Sequence, residues 1–204
     1  MGYKRKSWKH FLFIFLLSFG LAVIAGLGTE MLMERTNILS AWILLLIIII
    51  INIGFDVIGI AATAATEKPH HAKAANRVSG ARQTVYLVRN ADTVANFAND
   101  IVGDVTGALS GGMAASIVLE IIKTYPELGS HEIWINTLMI ALVASLTVTG
   151  KALGKSFGIH EADEIMGRVG SVIARIEETT GWSFTDKKRK GGKRSGDSRK
   201  NERT

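Results

Sequence analysis

The 204-residue sequence contains no cysteine and only two prolines. Without cysteine, neither a disulfide framework nor a thiolate metal site can form. The scarcity of proline, together with 21 glycines, suits helices that pack closely at small residues. The sequence also carries no phosphate-binding glycine loop, catalytic triad or zinc motif, so we do not expect an enzyme.

Charge is concentrated at the C-terminus. The formal net charge is +6, and residues 185–204 contain nine Lys or Arg against three acids. The basic balance therefore belongs to a tail, residues 183–204, whose composition is typical of disorder. We expect this tail to contact anionic lipid. Nucleic acid is not an expected partner, because the basic run has no stacking aromatics.

Apolar residues make up 48% of the chain and are bunched into long runs. Such runs predict membrane-spanning helices, because only helices and closed barrels satisfy their backbone groups in lipid. The sequence therefore predicts an all-α, polytopic membrane bundle over residues 1–182, with the lipid bilayer as its surroundings. The four predicted spans are 11–28, 38–66, 96–122 and 132–150.

The first apolar run follows a basic N-terminal segment and has two open interpretations. It is either a first transmembrane helix or a signal peptide with small residues near Ala22 and Ala25. The uncharged stretch 11–28 is longer than a usual signal-peptide core, which favours the uncleaved helix.

Two polar segments are predicted to lie beside the spans. Pro69 is expected to end the second span, and the link 67–95 has apolar residues at helical spacing. Residues 70–91 of this link predict an amphipathic helix lying on the membrane surface, and residues 160–181 predict a second amphipathic helix. The basic N-terminus, link and tail predict an inner or plasma membrane location with both termini cytoplasmic.

Polar side chains occur within the second and third spans. Three of them share one stripe of the second span, and three in the third span are spaced i, i+4 and i+8. These residues are Asn52, Asp56 and Thr63, and then Asn96, Asp100 and Asp104. A carboxylate at membrane depth costs about 2.5–3.5 kcal/mol, so these acids predict a buried functional site.

A ridge of small residues runs beside the polar stripe of the third span. It consists of Asn99, Gly103, Gly107 and Gly111, a spacing that lets another helix approach closely. Lys151 lies at the end of the fourth span. We expect it at a similar depth in the membrane to the polar stripe and the ridge.

Carboxylate and amide oxygens are ligands that suit Mg²⁺. We therefore predict a cation site with oxygen ligands from Asp56, Asn99, Asp100 and Asp104. The alternative is that the aspartates form structural ion pairs with Lys151 or with basic residues of the link, or lie in the hydrated headgroup layer.

About half of the chain resembles the transmembrane domain of the CorB/CorC and cyclin-M family of magnesium and cobalt transport proteins. The resemblance rests on five short stretches. They are Phe55 to Ala61, Gly80-Ala81-Arg82, Asn90-Ala91-Asp92, Gly103-Asp104 and Gly150 to Lys155. It implies a homodimer that moves or senses a divalent cation, Mg²⁺ or Co²⁺.

Departures from the family pattern fall at its ion ligands. Asp56 stands where the family has its first serine, and Asp104 where it has an asparagine. Lys151 replaces the family glutamate and Gly154 its proline, and the family's paired cytosolic nucleotide-binding modules are absent from this sequence. Two hypotheses follow: a divalent cation transporter or sensor with a rebuilt site, and a non-transporting membrane scaffold whose acids pair with Lys151.

Overall fold

A computed structural model describes residues 2–33 and 37–181. Within these residues the chain is helical and contains no strand, which confirms the predicted all-α class. The tail 183–204 lies outside the described residues. The α-helices are α1 Gly2–Met33, α2 Ile38–Ala64, α3 Glu67–Ala75, α4 Ala81–Arg89, α5 Ala91–Ala95, α6 Gly103–Thr124, α7 Glu132–His160 and α8 Ala162–Thr180. A π-helical segment, Asn96–Val102, joins α5 to α6, and a 3₁₀ turn, Pro126–His131, joins α6 to α7.

Among the described residues, four helical stretches are long and apolar enough to cross a membrane. They are Phe11–Met31, Ile38–Ala64, Ala91–Thr124 and Pro126–His160. The number of spans agrees with the sequence prediction, whereas α7 continues as a helix ten residues beyond the expected end at Gly150. The outer face of α7 carries exposed Ile133, Trp134 and Leu138, a surface that lipid accommodates and water does not.

Helix α2 is the centre of the bundle and packs against both α6 and α7. The side chain of Leu45 in α2 is buried in one cluster with Met113 and Ile117 of α6 and with Val143 of α7. The helix begins at Asn37, whose Oδ1 accepts a 2.9 Å hydrogen bond from the Ser40 N–H, a usual N-cap. By contrast, α1 contacts α6 lightly, with Gly26 near Leu109, and no residue of its apolar window is buried.

The link between the second and third spans is not one helix, contrary to the sequence prediction. Helix α2 ends at Ala64, and Pro69 lies in the first turn of α3, where its missing N–H costs nothing. The chain then turns between α3 and α4, with Arg77 and Gly80 at positive φ angles of 56° and 79°.

Helices α4 and α8 and the end of α2 form a second core beside the bundle, and α3 packs on α4 and α8. The buried residues of this core are Ala61, Ala62, Val88, Ala162 and Met166. The link is therefore part of a folded juxtamembrane unit, which we define as α3, α4 and α8. Helix α8 lies within the segment 160–181, for which the sequence predicts an amphipathic helix.

Candidate functional site

An ion pair joins α2 to α7 within the apolar part of the bundle. Lys151 Nζ lies 3.5 Å from Asp56 Oδ1, and the two side chains are 30% and 18% exposed. Each residue lies in a helical stretch that is long and apolar enough to cross a membrane, and an unpaired charge inside a bilayer is costly. This pair is the centre of a polar layer, which we define as Asn52, Asp56, Asn99 and Lys151.

Asn52 lies one helical turn before Asp56 and is 1% exposed. Its Oδ1 has no hydrogen-bond partner. A methyl group added at Gly103 would lie 3.8 Å from this oxygen and 3.7 Å from Lys151 Nζ. The absence of a side chain at Gly103 therefore lets the amide of Asn52 and the ammonium of Lys151 approach the same point on α6.

Asn99 supplies the second amide, from the π-helical segment. Its Oδ1 is buried without a hydrogen-bond partner, and its carboxamide fills the space where a side chain of Gly59 on α2 would be. Wider π turns occur often at functional sites because they redirect side chains out of the regular helical register. Here the segment directs one amide into the interface with α2.

The remaining polar residues predicted for the site lie outside the polar layer. Asn96, Asp100 and Asp104 are all exposed, as expected if they share a face, but that face is turned away from α2. Thr63 is also exposed, and its hydroxyl donates to the Ile60 carbonyl at 2.8 Å. The structure therefore brings Asp56 and Asn99 to the layer and leaves Asp100 and Asp104 outside it.

The predicted glycine ridge is close-packed over two of its three glycines. Gly103 and Gly107 face Asn52, since a methyl group at Gly107 would lie 3.4 Å from Asn52 Nδ2. At Gly111 an added methyl group would meet nothing within 4 Å. Helix α2 follows the ridge because the glycines allow close approach, and the neighbouring acidic stripe is consequently left facing outward.

A cation in the polar layer would have one carboxylate and two amide oxygens as protein ligands. These oxygens fit a hard divalent ion such as Mg²⁺, with water completing its octahedral shell. In the described part of the chain, no three His, Cys, Asp or Glu side chains converge as a metal site. The expected convergence of Asp56, Asp100 and Asp104 is therefore not observed, and an ion at Asp56 would have to displace Lys151.

A second glycine series was missed by sequence reasoning. Gly150, Gly154 and Gly158 of α7 face α2: a methyl group at Gly154 would lie 2.7 Å from Val57 Cγ2, and one at Gly158 would lie 3.1 Å from the Val57 carbonyl oxygen. The spacing of four was the available signal. This close approach of α7 to α2 brings Lys151 to Asp56.

The juxtamembrane unit contains a second polar cluster. Asp163 Oδ1 accepts a 2.8 Å hydrogen bond from the Thr66 N–H, and Oδ2 accepts a 3.1 Å bond from the Thr66 hydroxyl. His70 is 1% exposed, and its Nε2 lies 3.4 Å from Asp163 Oδ1 without hydrogen-bond alignment. Partial burial opposes ionisation of Asp163, but the bonds from Thr66 and the nearby imidazole outweigh it and hold the pKa of this carboxyl below its usual value.

Comparisons of the chain with family models, curated proteins and solved structures return no match. The resemblance to the CorB/CorC and cyclin-M family therefore stays a prediction from short motifs.

Proposed function

We propose that the chain is a multi-pass, non-enzymatic protein of the cell membrane whose polar layer binds a divalent cation and moves or senses it. The observation that carries this proposal is the pair of buried amide oxygens, on Asn52 and Asn99, that have no hydrogen-bond partner. A buried acceptor without a donor is costly, and such groups in a native structure call for a water or an ion. Asn52 lies one helical turn before Asp56 on α2, and Asn99 packs against Gly59, three residues after Asp56.

Lys151 is the competitor for this cation. Its ammonium neutralises Asp56 at 3.5 Å, so a divalent ion enters when the flexible lysine side chain leaves. The layer then alternates between a lysine-bound and an ion-bound state, each with its negative charge compensated. Mg²⁺ is the preferred candidate because all three protein ligands are oxygens, and the motif resemblance points to the same ion or to Co²⁺.

The test is Mg²⁺ flux and binding with purified full-length protein in proteoliposomes. Wild type is expected to move Mg²⁺ faster than empty liposomes, and Asp56→Asn is expected to abolish the difference. Lys151→Met removes the competitor and should bind Mg²⁺ more tightly. Lys123→Met, an exposed lysine paired with Glu120 outside the layer, is the matched control. The proposal would be contradicted if wild type and Lys151→Met both failed to bind Mg²⁺ and to move it across the membrane.

A non-transporting membrane scaffold is the second candidate, and the Asp56–Lys151 pair favours it. An ammonium already beside the carboxylate is what a structural ion pair requires, and such a pair can fix how α7 packs on α2. In this case Lys151→Met lowers stability without creating Mg²⁺ binding. The same liposome experiment therefore separates the two functions.

We also propose a homodimer with both termini on the cytoplasmic side. The support is the exposed polar stripe of Asn96, Asp100 and Asp104, because its two carboxylates would be costly against lipid unless a partner or water covers them. Disulfide crosslinking of an Asp104→Cys variant, which has no other cysteine, tests the interface. If the Asp104→Cys variant forms no crosslink in membranes and the protein is monomeric, the proposed homodimer is contradicted.

A further inference from the structure

The juxtamembrane unit contains a cleft that the cation proposal does not use. It lies between α3, the turn after it and α8, and its volume is 530 Å³. Three basic side chains line it from two elements: Lys73 of α3, and Arg168 and Arg175 of α8. We propose that this cleft binds a phosphate group, carried by an anionic lipid or by a soluble phosphate compound.

The charge balance of the cleft favours an anionic ligand. Its two acidic residues, Asp163 and Glu164, are already engaged: Asp163 accepts hydrogen bonds from Thr66, and Glu164 is ion-paired with Arg168. Within residues 2–33 and 37–181, Lys73 and Arg175 take part in none of the ion pairs. The cleft therefore has three basic side chains against two acidic ones, a surplus of one positive charge.

A buried side chain provides an independent indication of a ligand. His70 borders the cleft, is 1% exposed, and has no hydrogen-bond partner at either ring nitrogen. Its Nε2 faces Asp163, whereas Nδ1 is left without any partner. Buried polar atoms are normally hydrogen-bonded, and an imidazole N–H is a suitable donor to a phosphate oxygen. Ser79 and Ser171 add hydroxyls to the lining.

The position of the cleft explains why a lipid phosphate is one of the two sources. Helix α3 begins three residues after α2 ends, and α8 begins two residues after α7 ends. The cleft therefore lies just beyond the ends of two membrane spans, at headgroup level. Exposed Val78 and Val172 stand beside the charges and would contact the acyl or glycerol part of a lipid.

The experiment measures binding to purified full-length protein in detergent, by calorimetry, with dioctanoyl phosphatidic acid, dioctanoyl phosphatidylcholine and inorganic phosphate. The double variant Lys73→Ala/Arg175→Ala removes two exposed side chains and leaves the helix contacts intact. Lys155→Ala removes an exposed lysine of α7 outside the cleft. The basic tail is present in every variant, so its attraction for anions cancels from the comparison.

We expect saturable binding of phosphatidic acid with one site per chain, weakened at least about tenfold in the double variant and unchanged in Lys155→Ala. Inorganic phosphate that competes with the same affinity assigns the site to soluble phosphate compounds, and weaker competition assigns it to lipid. Equal affinity in wild type and the double variant overturns the proposal. Equal affinity for phosphatidylcholine and phosphatidic acid overturns it as well. None of these outcomes depends on Mg²⁺ binding at Asp56.

Discussion

The carboxamide of Asn99 occupies the space above Gly59, so that a π-helical segment and α2 interlock at one amide and one glycine. This contact sets how the π-helical segment packs on α2, three residues after Asp56. A methyl group at residue 59 would overlap the Asn99 amide, and one of the two helices would have to move.

Gly59→Ala is therefore expected to destabilise the bundle by about 1–3 kcal/mol, the usual cost of overpacking a tight contact. The measurement is the free energy of unfolding in mixed detergent and SDS. Gly54→Ala is the matched control on the same helix, because an added methyl group there meets nothing within 4 Å. Equal stability of the two variants would show that Asn99 does not sit against Gly59.

A similar contrast exists on α8. A methyl group at Gly170 would overlap the Thr84 hydroxyl and lie 2.7 Å from the Gly80 carbonyl oxygen, whereas one at Gly167 would meet nothing within 4 Å. Gly170→Ala should separate α8 from α4 and cost about 1–3 kcal/mol. Gly167→Ala should stabilise the helix by up to about 1 kcal/mol. Thermal unfolding of the purified variants measures both changes, and a stabilised Gly170→Ala protein would contradict the packing.

The sequence predicted the helical class, the number of spans and one of the contacting faces. Hydrophobic length is a local property, and the ridge from Asn99 to Gly107 was readable because glycines at a spacing of four admit a neighbouring helix. The choice of neighbour is not local. Because α2 packs on the glycine ridge, Asp100 and Asp104 face outward. The spacing of these acids predicts that they share a face, but not which way that face points.

The link shows a second limit of sequence reasoning. Apolar residues at helical spacing continue from Val78 to Val88, so one surface helix was expected. The glycine at position 80 was the local sign of a break, and in the structure it has a positive φ angle. The partner that makes the break favourable is α8, nearly a hundred residues later, and a single sequence does not show that contact.

Acid should loosen the junction between α2 and α8. Partial burial opposes ionisation of Asp163, but the hydrogen bonds from Thr66 and the nearby His70 imidazole outweigh it and lower the pKa of this carboxyl. Its contribution to stability is therefore present above the unfolded-state pKa of about 3.9 and is lost as pH falls through the lower folded-state value. Hydrogen-exchange protection of the Thr66 amide, which donates to Asp163, should decrease below about pH 4.

Asp163→Asn should show weaker Thr66 protection at neutral pH and a smaller change on acidification. Glu164→Gln is the matched control, because Glu164 is the neighbouring carboxylate and is exposed in its pair with Arg168. Protection in Asp163→Asn that equals wild type at all pH values would refute the role of this carboxylate.

The Asp56–Lys151 pair gives the most direct test of the polar layer. Asp56→Asn leaves an ammonium without its counter-ion among apolar helices, and Lys151→Met leaves a carboxylate in the same position. Breaking a fully buried pair costs about 3–5 kcal/mol. Because these side chains are 30% and 18% exposed, we expect each single change to cost about 1–3 kcal/mol.

The double variant Asp56→Asn/Lys151→Met carries no charge at the layer and should recover most of the loss, since replacing both partners removes the uncompensated charge. A double-mutant cycle of unfolding free energies in detergent measures the coupling. The exposed pair Glu120–Lys123, with side chains 51% and 74% exposed, is the comparison and should couple by less than about 1 kcal/mol. Purely additive losses at Asp56 and Lys151 would mean that the two charges do not stabilise one another, and Lys151 could then not compete with a cation for Asp56.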